Sequence, residues 1–228
     1  MTTPNRPTAT RTRPPGKGPV GGKRTRALWV GAGAVVLALA VVAVAGSRGS
    51  NSGGKGKEAA GLEQTRPVEV SGPALPQFTG EDDDPAVGKT APELRGASFD
   101  GTPVAITHGR PTLVLFVAHW CPHCQREVPV IAKHLRSHPL PDGVQLVTVA
   151  TATSASQPNY PPSAWLEREG WKAPTLVDSS NGTAADAFGL LSYPYFVALD
   201  SAGKVVARTS GEIPTEQFDV LVKKAQQA

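Results

Sequence analysis

Cysteine, methionine and aromatic side chains are all scarce in this 228-residue chain, and each scarcity removes a class of protein. There are two cysteines, Cys121 and Cys124, and both lie in one C-x-x-C. No thiol is left for a structural disulfide, so any sulfur chemistry is confined to that site. Met1 is the sole methionine, which disfavours a methionine-lined copper site. Aromatics make up 6% of the chain while Gly and Pro number 24 and 22, so part of the chain is expected to stay unpacked. Acidic residues are missing from residues 1–26, which carry seven Lys/Arg, whereas residues 88–228 carry twelve of each sign. The net charge of +4 is therefore a property of the N-terminal tail. A nucleic-acid-binding domain would concentrate Lys/Arg on its folded part, and this one does not.

The tail, residues 1–26, is rich in Pro, Thr, Gly and Arg without apolar periodicity and is expected to be disordered and cytoplasmic. Ala27–Gly46 is then twenty residues without a charge. At about 1.5 Å per residue it matches a hydrocarbon core of about 30 Å, which predicts one transmembrane helix. More Lys/Arg precede it (Lys17, Lys23, Arg24, Arg26) than follow it (Arg48, Lys55, Lys57). The positive-inside rule then gives a single-pass signal anchor in the cell membrane with the remainder of the chain extracytoplasmic. A buried core helix and a cleaved signal peptide, ending at the small-x-small Ala43-Val44-Ala45, are the competing readings of this stretch. Residues 47–86 read as a flexible extracytoplasmic linker, Gly/Ser/Lys-rich at first and acidic at Glu81–Asp84.

Residues 87–228 read as one folded domain. Thr112–Ala118 is a β-branched apolar run, the pattern of a strand buried on both faces. Val128, Ile131, Ala132 and Leu135 follow helical spacing. Val144–Ala150 and Thr175–Val177 read as strands, Ser163–Glu169 and Ala184–Phe188 as short helices, and Trp165 and Trp171 as core or lid. Tyr195–Leu199 and Lys204–Arg208 form a hairpin across Asp200-Ser201-Ala202-Gly203. A last helix starts near Thr215 as N-cap and buries Phe218, Leu221, Val222 and Ala225, with Glu216 early and Lys223 and Lys224 late to suit the macrodipole. This order predicts an α/β domain, a central mixed sheet flanked by helices on both faces.

The sequence Cys121-Pro122-His123-Cys124 follows a buried strand and opens a helix. Cys121 falls at the helix N-terminus, where unpaired N–H groups and the dipole favour a thiolate nucleophile. Cys124, one turn further in, is placed to resolve a mixed disulfide. Pro122 sits where a missing N–H costs nothing, and a protonated His123 would add positive charge beside the Cys121 thiolate. Zinc is the competing reading, with His119 or His123 as extra ligands, but no second ligand pair lies at a suitable spacing. His134 and His138 are spaced i, i+4 and are expected to face solvent. His119 reads as either the rim of the site or a surface residue.

These residues resemble the thioredoxin superfamily, and within it the membrane-anchored, exported TlpA/ResA-type branch, over roughly residues 85–228. Val87-Gly88-Lys89-Thr90-Ala91-Pro92-Glu93-Leu94 looks like that branch's opening segment, Asp100-Gly101 and Asp200 with Gly203 look like its hairpin turns, and Ala118-His119-Trp120-Cys121-Pro122-His123-Cys124 looks like its active-site turn. Glu127 and Pro129 match its E-x-P. The resemblance implies a thioredoxin fold, a cis Tyr193–Pro194 bond facing the cysteines, and substrate contact through Trp120, Tyr193 and Pro194. It also gives Glu127 a part in proton transfer with Cys124, against the alternative of a solvated helix carboxylate. Thioredoxins themselves carry a buried Asp where this chain has Leu115, and the Pro-His pair resembles the strongly oxidising periplasmic enzymes.

The function expected is thiol–disulfide exchange on exported proteins, leaning towards oxidation, with no cofactor and no metal. Its partners would be protein thiols or disulfides and a membrane redox protein. The alternative is a reductase or thiol chaperone in cytochrome c or metal-centre assembly. A thiol peroxidase would need a peroxide-reactive cysteine with Thr and Arg, and the helical C-x-x-C favours exchange over that.

Overall fold

The computed structural model describes residues 61–80 and 83–228. The basic tail, the apolar segment Ala27–Gly46 and the first part of the linker lie outside the described residues. Among the described residues no helix is long and apolar enough to cross a membrane.

The domain is centred on the strand β4 (Thr112–Val117), whose six residues are all buried. β4 pairs in parallel with β5 (Gln145–Ala150) and antiparallel with β7 (Tyr195–Leu199). β6 (Thr175–Val177) adds in parallel outside β5, and β8 (Val205–Ser210) adds antiparallel outside β7. The five-stranded sheet is thus mixed, in the order β6-β5-β4-β7-β8. Side chains alternate across a strand, and β4 shows the consequence. Leu113, Leu115 and Val117 enter one core with Val128 and Ile131 of α1 (Pro122–Ser137), Trp165 of α2 (Pro162–Arg168) and Phe218 and Leu221 of α4 (Thr215–Gln227). Val114 and Phe116 enter the other core with Phe188, Ala184 of α3 (Thr183–Ala187), and Leu94 and Ile106. This is the predicted α/β arrangement of a mixed sheet between helices.

The hairpin expected at Asp100-Gly101 belongs to a second sheet, and the folded unit starts earlier than the sequence implied. A second sheet, three-stranded and antiparallel, is formed by β1 (Glu69–Ser71), β2 (Glu93–Ala97) and β3 (Pro103–Ile106). It covers the face opposite α1. Its β2–β3 connection is the turn at Asp100-Gly101, where the Asp100 carboxylate accepts the Thr102 N–H at 2.9 Å and Gly101 adopts φ +88°. β1 belongs to residues expected in the flexible linker, and the folded unit therefore begins well before residue 87. Leu75, Phe78 and Ala86 are buried, and the Leu75 and Phe78 N–H groups bond to Ala187 and Gly189 carbonyls. Asp84 forms an ion pair with Arg208, whose side chain is fully buried; the Arg208 Nε to Asp84 Oδ2 distance is 2.7 Å. Burial would raise the Asp84 carboxyl, but the hydrogen bonds from Arg208 and the Ala86 N–H outweigh it and hold the group below its usual range.

At the last helix, Pro214 is the N-cap and Thr215 the first helical residue, with no side-chain capping bond. Proline's fixed backbone suffices to start the helix there. The predicted buried face of Phe218, Leu221, Val222 and Ala225 is the observed one.

Candidate active site

β4 ends at Val117 and the chain turns through Ala118–Trp120 into α1. Cys121 is the N-cap of that helix, its backbone extended at φ −71° and ψ 120°. Pro122 occupies the first turn, where its absent N–H is not missed. Both cysteines are free thiols and both are buried, Cys121 at 6% exposure and Cys124 at 0%. Cys121 keeps an opening to the surface that Cys124 lacks. Burial pushes the Cys124 thiol well above the ordinary range, and the charges of Cys121 and Glu127 add to that push.

The Tyr193–Pro194 bond is cis, as the resemblance implies. The Tyr193 carbonyl lies 3.8 Å from Cys121 Sγ, so this turn walls the Cys121 sulfur on the side of β7. Pro194 is buried, and its carbonyl is bonded to the Gly211 N–H at 2.8 Å. Trp120 is half-buried; its indole N–H donates to the Ala152 carbonyl at 2.8 Å and its ring meets Tyr193 edge-on.

Glu127 is buried at 3% exposure, which removes the alternative of a solvated helix carboxylate. Burial raises its carboxyl to about 7; the Ile213 N–H, donating to Oε1 at 3.3 Å, opposes the rise, and the charge of Glu212 assists it. Placed one turn beyond Cys124, the group is poised to hold or release a proton near neutral pH.

His123 is exposed, and its ring is engaged. Nδ1 lies 2.6 Å from Glu212 Oε1, and Arg126 grips the same carboxylate with Nη2 at 2.6 Å and Nε at 3.0 Å. Arg126 first, and His123 second, hold Glu212 down to about 2. Arg126 is in turn kept protonated, chiefly by its bond to Glu212 and least by the charge of Cys121. Sequence reading missed this cluster because 86 residues separate Arg126 from Glu212 and no spacing links them.

His119 is not a surface residue. It is 1% exposed, with Nδ1 2.7 Å from the Pro158 carbonyl and Nε2 accepting the Ser154 N–H at 3.2 Å. One nitrogen donates and the other accepts, so the ring is neutral, and burial lowers its pKa accordingly. It pins the loop between β5 and α2, in which a second cis bond, Tyr160–Pro161, also occurs. Trp165 and Trp171 are core residues. His134 does not face solvent either: its ring is mostly covered, stacked on His138, and 2.8 Å from Asp219 of α4. Among the described residues no group of three or more His, Cys, Asp or Glu side chains could hold a metal ion.

The sequence profile of the Redoxin family matches residues 86–225. The methylamine utilization protein MauD of Methylophilus methylotrophus is 30% identical over 131 residues, covering 56% of this chain and 57% of that protein. The thiol-disulfide oxidoreductase ResA of Halalkalibacterium halodurans is 26% identical over 141 residues, covering 60% of this chain and 75% of that one. The chain spans less than two thirds of the first two curated relatives, 57% and 58% of two MauD proteins. The crystal structure of the thioredoxin domain of a thiol-disulfide oxidoreductase from Bacteroides vulgatus superposes with a TM-score of 0.51 at 19% identity, over 62% of this chain and 99% of that one. That likeness shows the thioredoxin fold.

Proposed function

The chain belongs to the Redoxin family, and from that premise we propose that it catalyses thiol–disulfide exchange on exported proteins through Cys121 and Cys124. The observation that carries the reading is the asymmetry of the two thiols. Cys121 caps a helix beside the Tyr193–Pro194 turn. Cys124 is sealed behind it, next to a buried carboxyl with a pKa of about 7.

In the oxidising direction a substrate thiolate attacks Cys121 Sγ, the Cys121–Cys124 bond breaks, and a substrate–Cys121 mixed disulfide forms. The electron pair leaves on Cys124. Burial makes a bare thiolate there costly, so Glu127 hands it a proton. A second substrate thiolate then attacks the substrate sulfur of the mixed disulfide and releases Cys121. Two electrons have passed from substrate to protein, and the substrate holds the new disulfide. In reverse, Cys121 attacks a substrate disulfide, and Glu127 takes the proton of Cys124 as that thiol resolves the intermediate.

The direction we propose is oxidation, in the upper half of the span from about −270 mV for thioredoxin to about −120 mV for the periplasmic oxidant. It rests on the helix N-terminus at Cys121 and on the Pro-His pair. The reductase reading draws support from Glu212, whose carboxylate is paired with His123. We also propose that Ala27–Gly46 anchors the domain outside the cell membrane, where a membrane redox partner resets it; the support for this is the length of the apolar run and its flanking charge. The test of the exchange reading is turnover of a cystine-containing peptide by the chain in glutathione buffer. Loss of turnover in both Cys121→Ser and Cys124→Ser is expected, and unchanged turnover in Cys121→Ser would refute it.

A further inference from the structure

We propose that Glu212 sets the redox poise of the Cys121–Cys124 pair downward, by pairing with the Arg126 guanidinium and the His123 ring at the mouth of the site. The proposal rests on the exchange reading above and deepens it.

Glu212 lies in the connection between β8 and α4, far in sequence from the cysteines. Its carboxylate meets two side chains of the first turns of α1. Oε1 is 2.6 Å from His123 Nδ1 and 2.6 Å from Arg126 Nη2, and both carboxylate oxygens bond Arg126 Nε, at 3.0 and 3.1 Å. His123 Nδ1 is also 3.0 Å from Arg126 Nη2. That nitrogen donates to Glu212 in one tautomer and accepts from Arg126 in the other. The next residue extends the connection inward, for the Ile213 N–H donates to Glu127 at 3.3 Å. One two-residue segment thus holds the residue between the cysteines, the cation one turn along, and the buried carboxyl.

The electrostatic consequence has a sign. The reduced form of a dithiol pair is the one that carries negative charge, as thiolate, and the disulfide carries none. Cations at the mouth therefore favour reduction of the disulfide and raise the potential. An anion that pairs with the Arg126 guanidinium and binds the His123 ring weakens that effect. A Pro-His pair between the cysteines would push the protein towards a strong oxidant, and Glu212 opposes the push from outside the motif. Glu212 is a positioning residue in this account: it acts through His123 and Arg126 and does not touch the sulfurs.

The experiment is equilibration of the full chain with glutathione, in which two glutathione thiols give two electrons to the Cys121–Cys124 disulfide and become glutathione disulfide. Glu212 is at the surface, its side chain 36% exposed, so Glu212→Gln leaves the cores untouched. Glu212→Gln is expected to shift the equilibrium towards the reduced protein by about threefold, which for a two-electron couple is about 14 mV upward. If Glu212 acts through these two side chains, the same exchange in a His123→Ala, Arg126→Gln background should give a clearly different shift, and an equal shift there would mean that its charge acts on the sulfur directly and would overturn its positioning role. A merely structural role would produce neither the sign nor the coupling. A wild-type chain that equilibrates with glutathione and a Glu212→Gln variant with the same constant would overturn the role of Glu212 alone. A wild-type chain whose cysteines never equilibrate would overturn the exchange reading with it.

Discussion

Two glutamates near the thiol site, one inside and one at its mouth, show how environment separates chemically identical side chains. Glu212, on the surface between Arg126 and His123, is held down to about 2 and stays an anion at any physiological pH. Glu127, buried, is raised to about 7, mainly by loss of hydration. Only the second can trade a proton at neutral pH, and the sign of its effect depends on direction. Below about 7 Glu127 carries the proton that a leaving Cys124 needs, so oxidation of a substrate dithiol should slow as pH rises through about 7. Reduction of a substrate disulfide, which needs the Cys124 proton removed, should speed up over the same interval. Glu127→Gln is expected to abolish that inflection and to slow exchange by about 10²-fold, at the lower end for positioned acid–base groups. Stopped-flow exchange rates between pH 5 and 9 measure both, and an unchanged profile would remove Glu127 from proton transfer. The two cysteines and Glu127 could be named from the sequence because they are spaced three residues apart at the start of one helix, where the family's motif matches. The burial of Glu127 could not, since it comes from the chain around Ile213.

At the level of elements, legibility followed locality. β6 and β7 have the predicted limits, Thr175–Val177 and Tyr195–Leu199, and β4 ends one residue before the predicted Ala118. Each is a continuous apolar run, and a strand buried on both faces declares itself that way. β1 left no such mark. Its three residues, Glu69–Ser71, are all exposed and are strand only because β2 lies beside them. Leu75 and Phe78 stand singly among prolines without a period, and their partners lie more than a hundred residues away; Phe78 packs against Tyr195 with Arg208 over its ring. The segment's polar composition therefore looked like linker. The buried ion pair it brings should matter to stability. Asp84→Asn leaves the Arg208 guanidinium buried without its counter-charge, a change that costs about 3–5 kcal/mol. Urea denaturation should show that loss, and a change below about 1 kcal/mol would mean that the segment is not held by this pair.

For the whole molecule, the arrangement of the sheet explains why the site forms where it does. β4 and β7 are antiparallel neighbours, so the C-terminal end of β4, which feeds Cys121, meets the N-terminal end of β7, which Tyr193–Pro194 precedes. β8 returns alongside and delivers Glu212 and Ile213 to the same edge. Three stretches distant in sequence converge there; the motif at 121–124 and the Tyr193–Pro194 turn were legible in the sequence, and Glu212 with Ile213 was not. Charge is partitioned on the same scale, with a basic tail ahead of an uncharged twenty-residue run and a neutral domain beyond it. On that basis protease added to intact cells or spheroplasts should remove the domain and spare the tail. Full protection of the domain would contradict the proposed orientation.

If Cys121 is the attacking sulfur and Cys124 the resolver, trapping in the full chain with a disulfide-containing peptide, followed by mass mapping of the adduct, tells the two apart. Cys124→Ser is predicted to accumulate a mixed disulfide carried on Cys121, while Cys121→Ser accumulates none, because Cys124 is sealed at 0% exposure. Equal adducts on both variants, or an adduct on Cys124 alone, would contradict the assignment.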